Sequence, residues 1–464
     1  MILGLSAAEH NQHKSYRSLK IAFSAIESGL KYVDPKRLVN RAVKVKGSSL
    51  KLRDIHRRTL TLNLRDIDSI YLVGAGKATA TMAETLEKIF KERITGGSIN
   101  VPYGTSIKLE RVEVVQASHP IPDQAGVNGT KKIMDVLRRT KKSDLIFVLI
   151  SGGGSALMPH PAKGLGLSDK QKITDFMISS GASIHEINVI RKHLSIIKGG
   201  QLMRRVQSGC MVVSLILSDV IGDNIDVIAS GPTLPDHSTF RDAAQILKKY
   251  KLWDDKRKPL AAQKVISRGL QGIIMDTPKP GDPIFNNVHN LLIGNNVLIC
   301  QKMTGYLRKQ GLQVENLGSS FNGEARLFGC LLSKLANNIK TSDKPVGFIL
   351  GGETIVNLHL TKEVGLGGRN QEAALAAALS SNFSKKEDTS IVCFGTDGID
   401  GNSGAAGGFV TPKTTSAITN KKRLMKKYLD KHDSYHALKD LNSLIVTGWT
   451  GTNVNDISII CSLK

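Results

Sequence analysis

Six turns that follow apolar, strand-like runs carry residue types suited to handling phosphate. The run ending at Val73 opens into Gly74-Ala75-Gly76-Lys77-Ala78-Thr79. Its glycines permit close backbone approach, and a helix starting there would aim its first amides at an anion. The spacing is not that of a GxxxxGK[ST] loop, and Thr79 stands where a dinucleotide fingerprint needs its third glycine. A tight turn followed by a surface lysine is the other reading. The run Leu145 to Ile150 opens into Ser151-Gly152-Gly153-Gly154-Ser155-Ala156. Consecutive glycines weaken folding through backbone entropy, and a nest of amides around phosphate oxygens gives them a reason. Ala156 and Leu157 break the GxSxG pattern of a hydrolase nucleophile, which disfavours that chemistry.

Arg191-Lys192-His193 and Lys198-Gly199-Gly200 form a third group, which either converges on a polyanion or is a solvated helix face. Fourth, Asp219 leaves the run Leu215 to Leu217, where a carboxylate can take a proton from an attacking hydroxyl or hold Mg²⁺; Asp223 reads as a turn residue. Fifth is Gly351-Gly352-Glu353-Thr354 together with Gly367-Gly368-Arg369-Asn370, which opens an Ala-rich helix. A planar guanidinium at a helix start can stabilise charge on a transferring phosphoryl group. The sixth, Gly395 to Gly401, adds Asp397 and Asp400, although Asp-Gly pairs are also ordinary turns. Two amide-rich loops, strand-exit carboxylates, a lysine and an arginine together fit phosphoryl transfer, which depends on positioning and charge neutralisation. These residues alone do not fix the acceptor.

Positioning such loops calls for an α/β fold. Short apolar runs alternate with amphipathic stretches from Ser69 to Leu217, the pattern of a parallel sheet covered by helices on both faces. The first 60 residues read as helical, with a second helix starting at Pro35, and Ser168-x-x-Gln171 and Ser183-x-x-Glu186 read as capping boxes. Thr277 to Pro283 is the strongest linker signal, and a second alternating pattern, with runs at Asn290 to Ile293 and Ile355 to Leu360, follows it. The expected domains are 1–285 and 286–464.

A chain of 464 residues with 41% hydrophobic and 22% charged residues is globular and too long for one core. A net charge of +24 admits nucleic acid, a membrane surface or small anions as partners, but 5% aromatics is thin for stacking single-stranded bases. Residues 1–60 and 413–439 hold most of the excess, away from the six turns. No run is apolar enough to span a bilayer, and Glu9 and His10 leave no room for a signal-peptide core, so a cytoplasmic protein is expected, without membrane or nucleic-acid partners. Five dispersed cysteines without a CxxC read as reduced core residues.

Taken in order, Val73 to Ala78, Ser118-His-Pro-Ile-Pro-Asp123, Ile150 to Ala156, Arg191-Lys-His-Leu194 with Lys198-Gly-Gly200, Ser218-Asp-Val220 and Val227 to Thr233 resemble the class II glycerate 2-kinases. The resemblance continues through Gly351-Gly-Glu-Thr354, Gly367 to Glu372, Gly395 to Gly401 and Thr450 to Asp456. It implies ATP-dependent, divalent-metal-assisted (Mg²⁺) phosphorylation of the 2-hydroxyl of D-glycerate to 2-phosphoglycerate. It also implies a larger Rossmann-like N-terminal domain and a smaller C-terminal α/β domain of the MOFRL type, with the active site in the cleft between them. By the same resemblance Lys77 and Arg369 are the essential cations and Asp219 the base or metal carboxylate. Ser151, Gly152, Gly153, Gly154 and Ser155 would hold phosphates, with Arg191, Lys192, Glu353, Asn370 and Asp397 lining the cleft. A homodimer is compatible with this reading. Two departures stand out: Trp449 replaces the family's usual proline, and Gly404 replaces a common aspartate. The rival readings are a hydroxypyruvate reductase, which lacks its dinucleotide fingerprint here, and a non-catalytic basic nucleotide- or RNA-binding protein.

Overall fold

The computed structural model describes residues 16–253, 260–339, 344–358, 363–383 and 388–463. These form two compact units, one of residues 38–294 and one of residues 1–37 with 295–464. The expected boundary at 285 differs from this division in two places. The run after Thr277 to Pro283 completes the first unit's sheet, and the N-terminal helix packs into the second unit.

In the 38–294 unit, Val43–Lys46 (β1), Ser49–Arg53 (β2) and Thr59–Asn63 (β3) form an antiparallel three-stranded sheet where helix is expected. The physical reason is a period of two: Leu50 and Leu52 are buried between exposed neighbours, which a strand allows and a helix does not. Six parallel strands follow: Ile70–Ala75 (β4), Ile94–Pro102 (β5), Val112–Ala117 (β6), Leu145–Ile150 (β7), Met211–Leu217 (β8) and Val288–Gly294 (β9). Their order β6-β5-β4-β7-β8-β9 is the Rossmann order, which reverses between β4 and β7. β7 is buried along its whole length, as befits a strand covered on both faces. The capping box at Ser183 is present, its hydroxyl accepting from Glu186 N while Glu186 accepts from Ser183 N at 2.9 Å. The one expected at Ser168 is not, because the helix Leu167–Ser179 starts earlier and Asp169 closes back onto Gly166 N at 3.1 Å.

The other unit is built on a mixed sheet of Gln313–Asn316 (β10), Val346–Gly352 (β11), Asp388–Gly395 (β12), Gly407–Val410 (β13), Leu444–Ile445 (β14) and Asp456–Leu463 (β15). Its order is β10-β11-β15-β12-β13-β14, so the last strand inserts antiparallel between β11 and β12. The helix Arg17–Tyr32 joins this unit: Asp388 accepts from its Arg17 and Ser18 amides at 3.0 Å, and Gly29 packs on Ile299. The strand expected from Ile355 reduces to a single bridge between Ile355 and Glu324, and residues 359–360 lie outside the described residues. Cys210, Cys300, Cys393 and Cys461 are buried and free, and Cys330 is free and half-buried. Among the described residues no helix is long and apolar enough to cross a membrane.

Candidate active site

Open α/β sheets bind ligands outside the carboxyl ends of their strands where the strand order reverses, and in the first unit that point lies between β4 and β7. The loops leaving these strands are joined backbone to backbone. Lys77 N donates to Gly152 O at 2.9 Å, Ser151 N to Ala75 O at 3.3 Å, and Ala78 N to Ser151 Oγ at 3.0 Å. Gly76 makes this approach feasible: at φ 148° its missing Cβ would lie 2.1 Å from Ser151 Oγ. Lys77 is half-buried at this junction, and Ser151 is a buried stitch between the loops. Gly153, at φ 82°, leads into the single helical turn Gly154–Leu157, which carries Ser155.

Ser155 is gripped by a residue the sequence placed only in a diffuse basic cluster. Lys198, 1% exposed, donates to Ser155 Oγ at 2.5 Å, to Ser155 O at 3.0 Å and to Ala229 O at 3.4 Å. Burial pushes the Lys198 ammonium well below its ordinary pKa, and the nearby Lys170 and Arg191 push it the same way. The neighbouring Lys192, expected to bind substrate, is paired with Asp226 at 3.1 Å and Asp236 at 3.2 Å. Burial alone would raise Asp236, but Lys192 and Ser238 hold its carboxyl below the usual range. Asp219 lies half-buried just beyond β8, next to β7 in the sheet. Among the described residues no group of three or more His, Cys, Asp and Glu could hold a metal. A Mg²⁺ ion that arrives on a nucleotide needs only one or two protein carboxylates, with phosphates and water completing its shell. Asp219 is chemically suited to that lighter requirement.

In the second unit, Asp456 opens β15 and is flanked in register by Gly352 of β11 and Gly395 of β12. Arg369, first residue of the helix Arg369–Ser380, donates to Asp456 Oδ2 through Nε and to Oδ1 through Nη2 at 3.1 Å, and its Nη1 meets Glu353 Oε1 at 2.9 Å. Burial would lower the guanidinium, but Asp456 and Glu353 outweigh it and raise its pKa. Asp400 caps the same helix, accepting from Asn370 N at 3.1 Å and from Gln371 N at 2.8 Å. Burial, with Asp456 close by, pushes Asp400 up to about 6 despite those bonds. Asn370 is buried and donates through its side-chain amide to Asp400 at 3.1 Å, while half-buried Asp397 accepts locally from Ile399 N at 3.2 Å. Glu353, Arg369, Gly367, Glu372 and His432 line a cavity of about 420 Å³. At its edge Glu372 is buried and accepts from Arg326 Nε at 2.6 Å. Trp449 is 57% exposed, and a side chain at Gly404 would meet open space.

Sequence reasoning passed over Asp456 and Lys170. Asp456 lay in a quoted motif, and only its pairing across two strands reveals its partner. Lys170 resembles any surface lysine until packing buries it.

Several known proteins to which this chain is similar carry kinase names. A family model described as a domain of unknown function (DUF4147) matches residues 21–266, and the MOFRL family model matches residues 346–456. A protein named glycerate 2-kinase from Pyrococcus horikoshii is 37% identical over 95% of this chain and 96% of its own. A crystal structure of glycerate kinase from Thermotoga maritima superposes with a TM-score of 0.80 at 34% identity, covering 96% of this chain and 99% of the other. A protein named putative hydroxypyruvate reductase from Agrobacterium vitis is 35% identical over 84% of this chain and 98% of its own.

Proposed function

The chain belongs to the class II glycerate kinase family, and on that premise we propose that it is a phosphotransferase moving the γ-phosphoryl group of ATP to the 2-hydroxyl of D-glycerate. The products are 2-phosphoglycerate and ADP. The observation that carries this reading is near-full-length similarity to a glycerate 2-kinase, together with the two interlocked loops at the reversal of a Rossmann-ordered sheet.

In this reading Lys77 neutralises phosphate charge beside the Ser151 to Ser155 loop, whose amides orient phosphate oxygens. Asp219 takes the proton from the attacking 2-hydroxyl or, in its place, ligates Mg²⁺. The metal, when bound, supplies charge neutralisation on the transferring phosphoryl oxygens. Arg369, held in orientation by Asp456, stabilises charge on phosphoryl oxygens by exchanging its Glu353 contact for them. Arg191 binds an anionic group of a substrate, whereas Lys192, Asn370 and Asp397 serve as structural supports through the bonds described above. The enzyme works as a soluble cytoplasmic protein on small molecules, and a homodimer is compatible with this.

The oxidoreductase reading has two relatives named putative hydroxypyruvate reductase in its favour. Against it stands Thr79, buried, at the third glycine position of a dinucleotide fingerprint. Incubation with D-glycerate and ATP, followed by ADP detection, tests the proposal. ADP formed only when glycerate is present supports it, and reduction of hydroxypyruvate by a nicotinamide without ADP formation would overturn it.

A further inference from the structure

Buried and half-buried cations in the 38–294 unit come in two kinds. Lys192 is matched by Asp226 and Asp236. Lys170, Arg191 and Lys198 are not: among the described residues none of the three pairs with a carboxylate, and together they form a cluster. Lys170 lies on the buried stripe of Leu167–Ser179 with Ile173 and Met177, facing the core shared with Ile187 and Ile190. Its Nζ is buried without a hydrogen-bond partner. Asn188 and Arg191 are one turn apart on Ile184–His193, and Asn188 Nδ2 is likewise buried and unpartnered. Like charges that feel one another, two of them buried and Arg191 half-buried, without a counter-charge are costly to hold, and an anion in their midst removes the cost.

The hydrogen-bond directions point the same way. Lys198 donates to Ser155 Oγ, and Ser230 donates to Asn188 Oδ1 at 3.0 Å. With Ser230's proton so committed, Ser155 is the donor in its long 3.3 Å contact with Ser230 Oγ, a weak bond from which an anion can draw the proton. We propose that Lys170, Arg191, Asn188 Nδ2 and the Ser155 hydroxyl form a pocket for one oxyanion, the carboxylate or phosphate group of a substrate, with Lys198 positioning Ser155. The assignment to a substrate rests on the kinase reading; the pocket itself rests on the geometry.

The test is thermal unfolding of the full chain titrated with inorganic phosphate and with D-glycerate at constant ionic strength. Wild type should gain melting temperature with added anion, because a ligand that binds only the folded state stabilises it. Lys170→Met and Arg191→Met should each weaken that apparent affinity by about 10-fold or more, the worth of a charge-assisted hydrogen bond. Lys170→Met should melt no lower than wild type without ligand, since it removes like-charge repulsion. Ser155→Ala and Lys198→Met should each weaken binding, and the double variant no more than the weaker single, because Lys198 acts through Ser155. A lower ligand-free melting point with unchanged anion affinity in both the Lys170 and Arg191 variants would overturn the pocket. In steady-state assays, a selective rise in KM for glycerate assigns the acceptor carboxylate, and a selective rise for ATP assigns a nucleotide phosphate. Unchanged values for both substrates would sever the pocket from catalysis. If wild type forms no ADP from glycerate, the kinase reading fails and the phosphate titration still decides the pocket.

Discussion

Arg369 is held by Asp456 through a bidentate contact, Nη2 to Oδ1 at 3.1 Å with Nε on the other carboxylate oxygen. The pair joins the start of the helix Arg369–Ser380 to the head of β15, so the guanidinium plane is fixed by two elements from distant parts of the sequence. A planar cation fixed in this way is pre-organised to meet a phosphoryl group.

If Arg369 stabilises the transferring phosphoryl group, Arg369→Ala should lower kcat by about 10³-fold or more, the range known for arginine fingers. Arg369→Lys should recover little, because a point charge cannot reproduce the fork. Steady-state ADP release measures both, and near-normal turnover in Arg369→Ala would remove this residue from the mechanism.

Asp456→Asn keeps the size of the side chain but leaves Arg369 with a weaker partner in a buried setting. Breaking a fully buried pair costs about 3–5 kcal/mol, and partial solvent access at Arg369 should bring this down to about 1–3 kcal/mol. Denaturant unfolding should show that loss, and kcat should fall with KM for glycerate little changed. An unaltered kcat would show that Arg369 needs no orientation from β15.

Gly76→Ala tests the junction of the two loops. A Cβ there would lie 2.1 Å from Ser151 Oγ at a φ of 148°, so both crowding and backbone strain apply. A destabilisation of about 2–5 kcal/mol is expected, with loss of turnover. Gly404→Asp, which faces open space, should stay within about 0.5 kcal/mol of wild type. Equal stability of all three proteins in chemical denaturation would contradict the close approach of the loops.

The buried carboxyl of Asp400 gives a pH dependence with a definite sign. Its pKa is raised from 3.8 to about 6 by burial and by Asp456. Below 3.8 it is protonated in both folded and unfolded chains and contributes nothing. Between the two values the folded protein keeps a proton that the unfolded chain has lost, so stability falls as pH rises, and the whole penalty is in place above about 6. Relative to Asp400→Asn, wild type should therefore lose melting temperature between about pH 4 and pH 6 and run parallel to it above that. A constant difference across the range would show that Asp400 titrates normally.

Much of the first unit was legible because its strands are continuous apolar runs. β7 and β8 could hardly be anything else. β5 was passed over because Gly96 and Gly97 interrupt its pattern, and the structure supplies the reason at Gly97, where a Cβ would lie 1.9 Å from Leu72 O of β4. The compact units divide away from residue 285 because a proline-rich linker marks only a turn, whereas β9 is defined by its pairing with β8. Likewise, nothing local in Arg17–Tyr32 announces that Gly29 packs on Ile299. At the candidate site, Lys77, Arg369 and the serine-glycine loop were visible as motif residues. Lys192 and Asn370 were visible too, but that Lys192 pairs with Asp236 and Asn370 bonds to Asp400 is information that only tertiary contact carries.

Phosphorus NMR of the products formed from D-glycerate and ATP tests the central claim most directly. The account predicts a phosphomonoester on the 2-carbon of glycerate appearing in step with ADP. A 3-phosphoglycerate signal, or unchanged ATP with glycerate left intact, would contradict it.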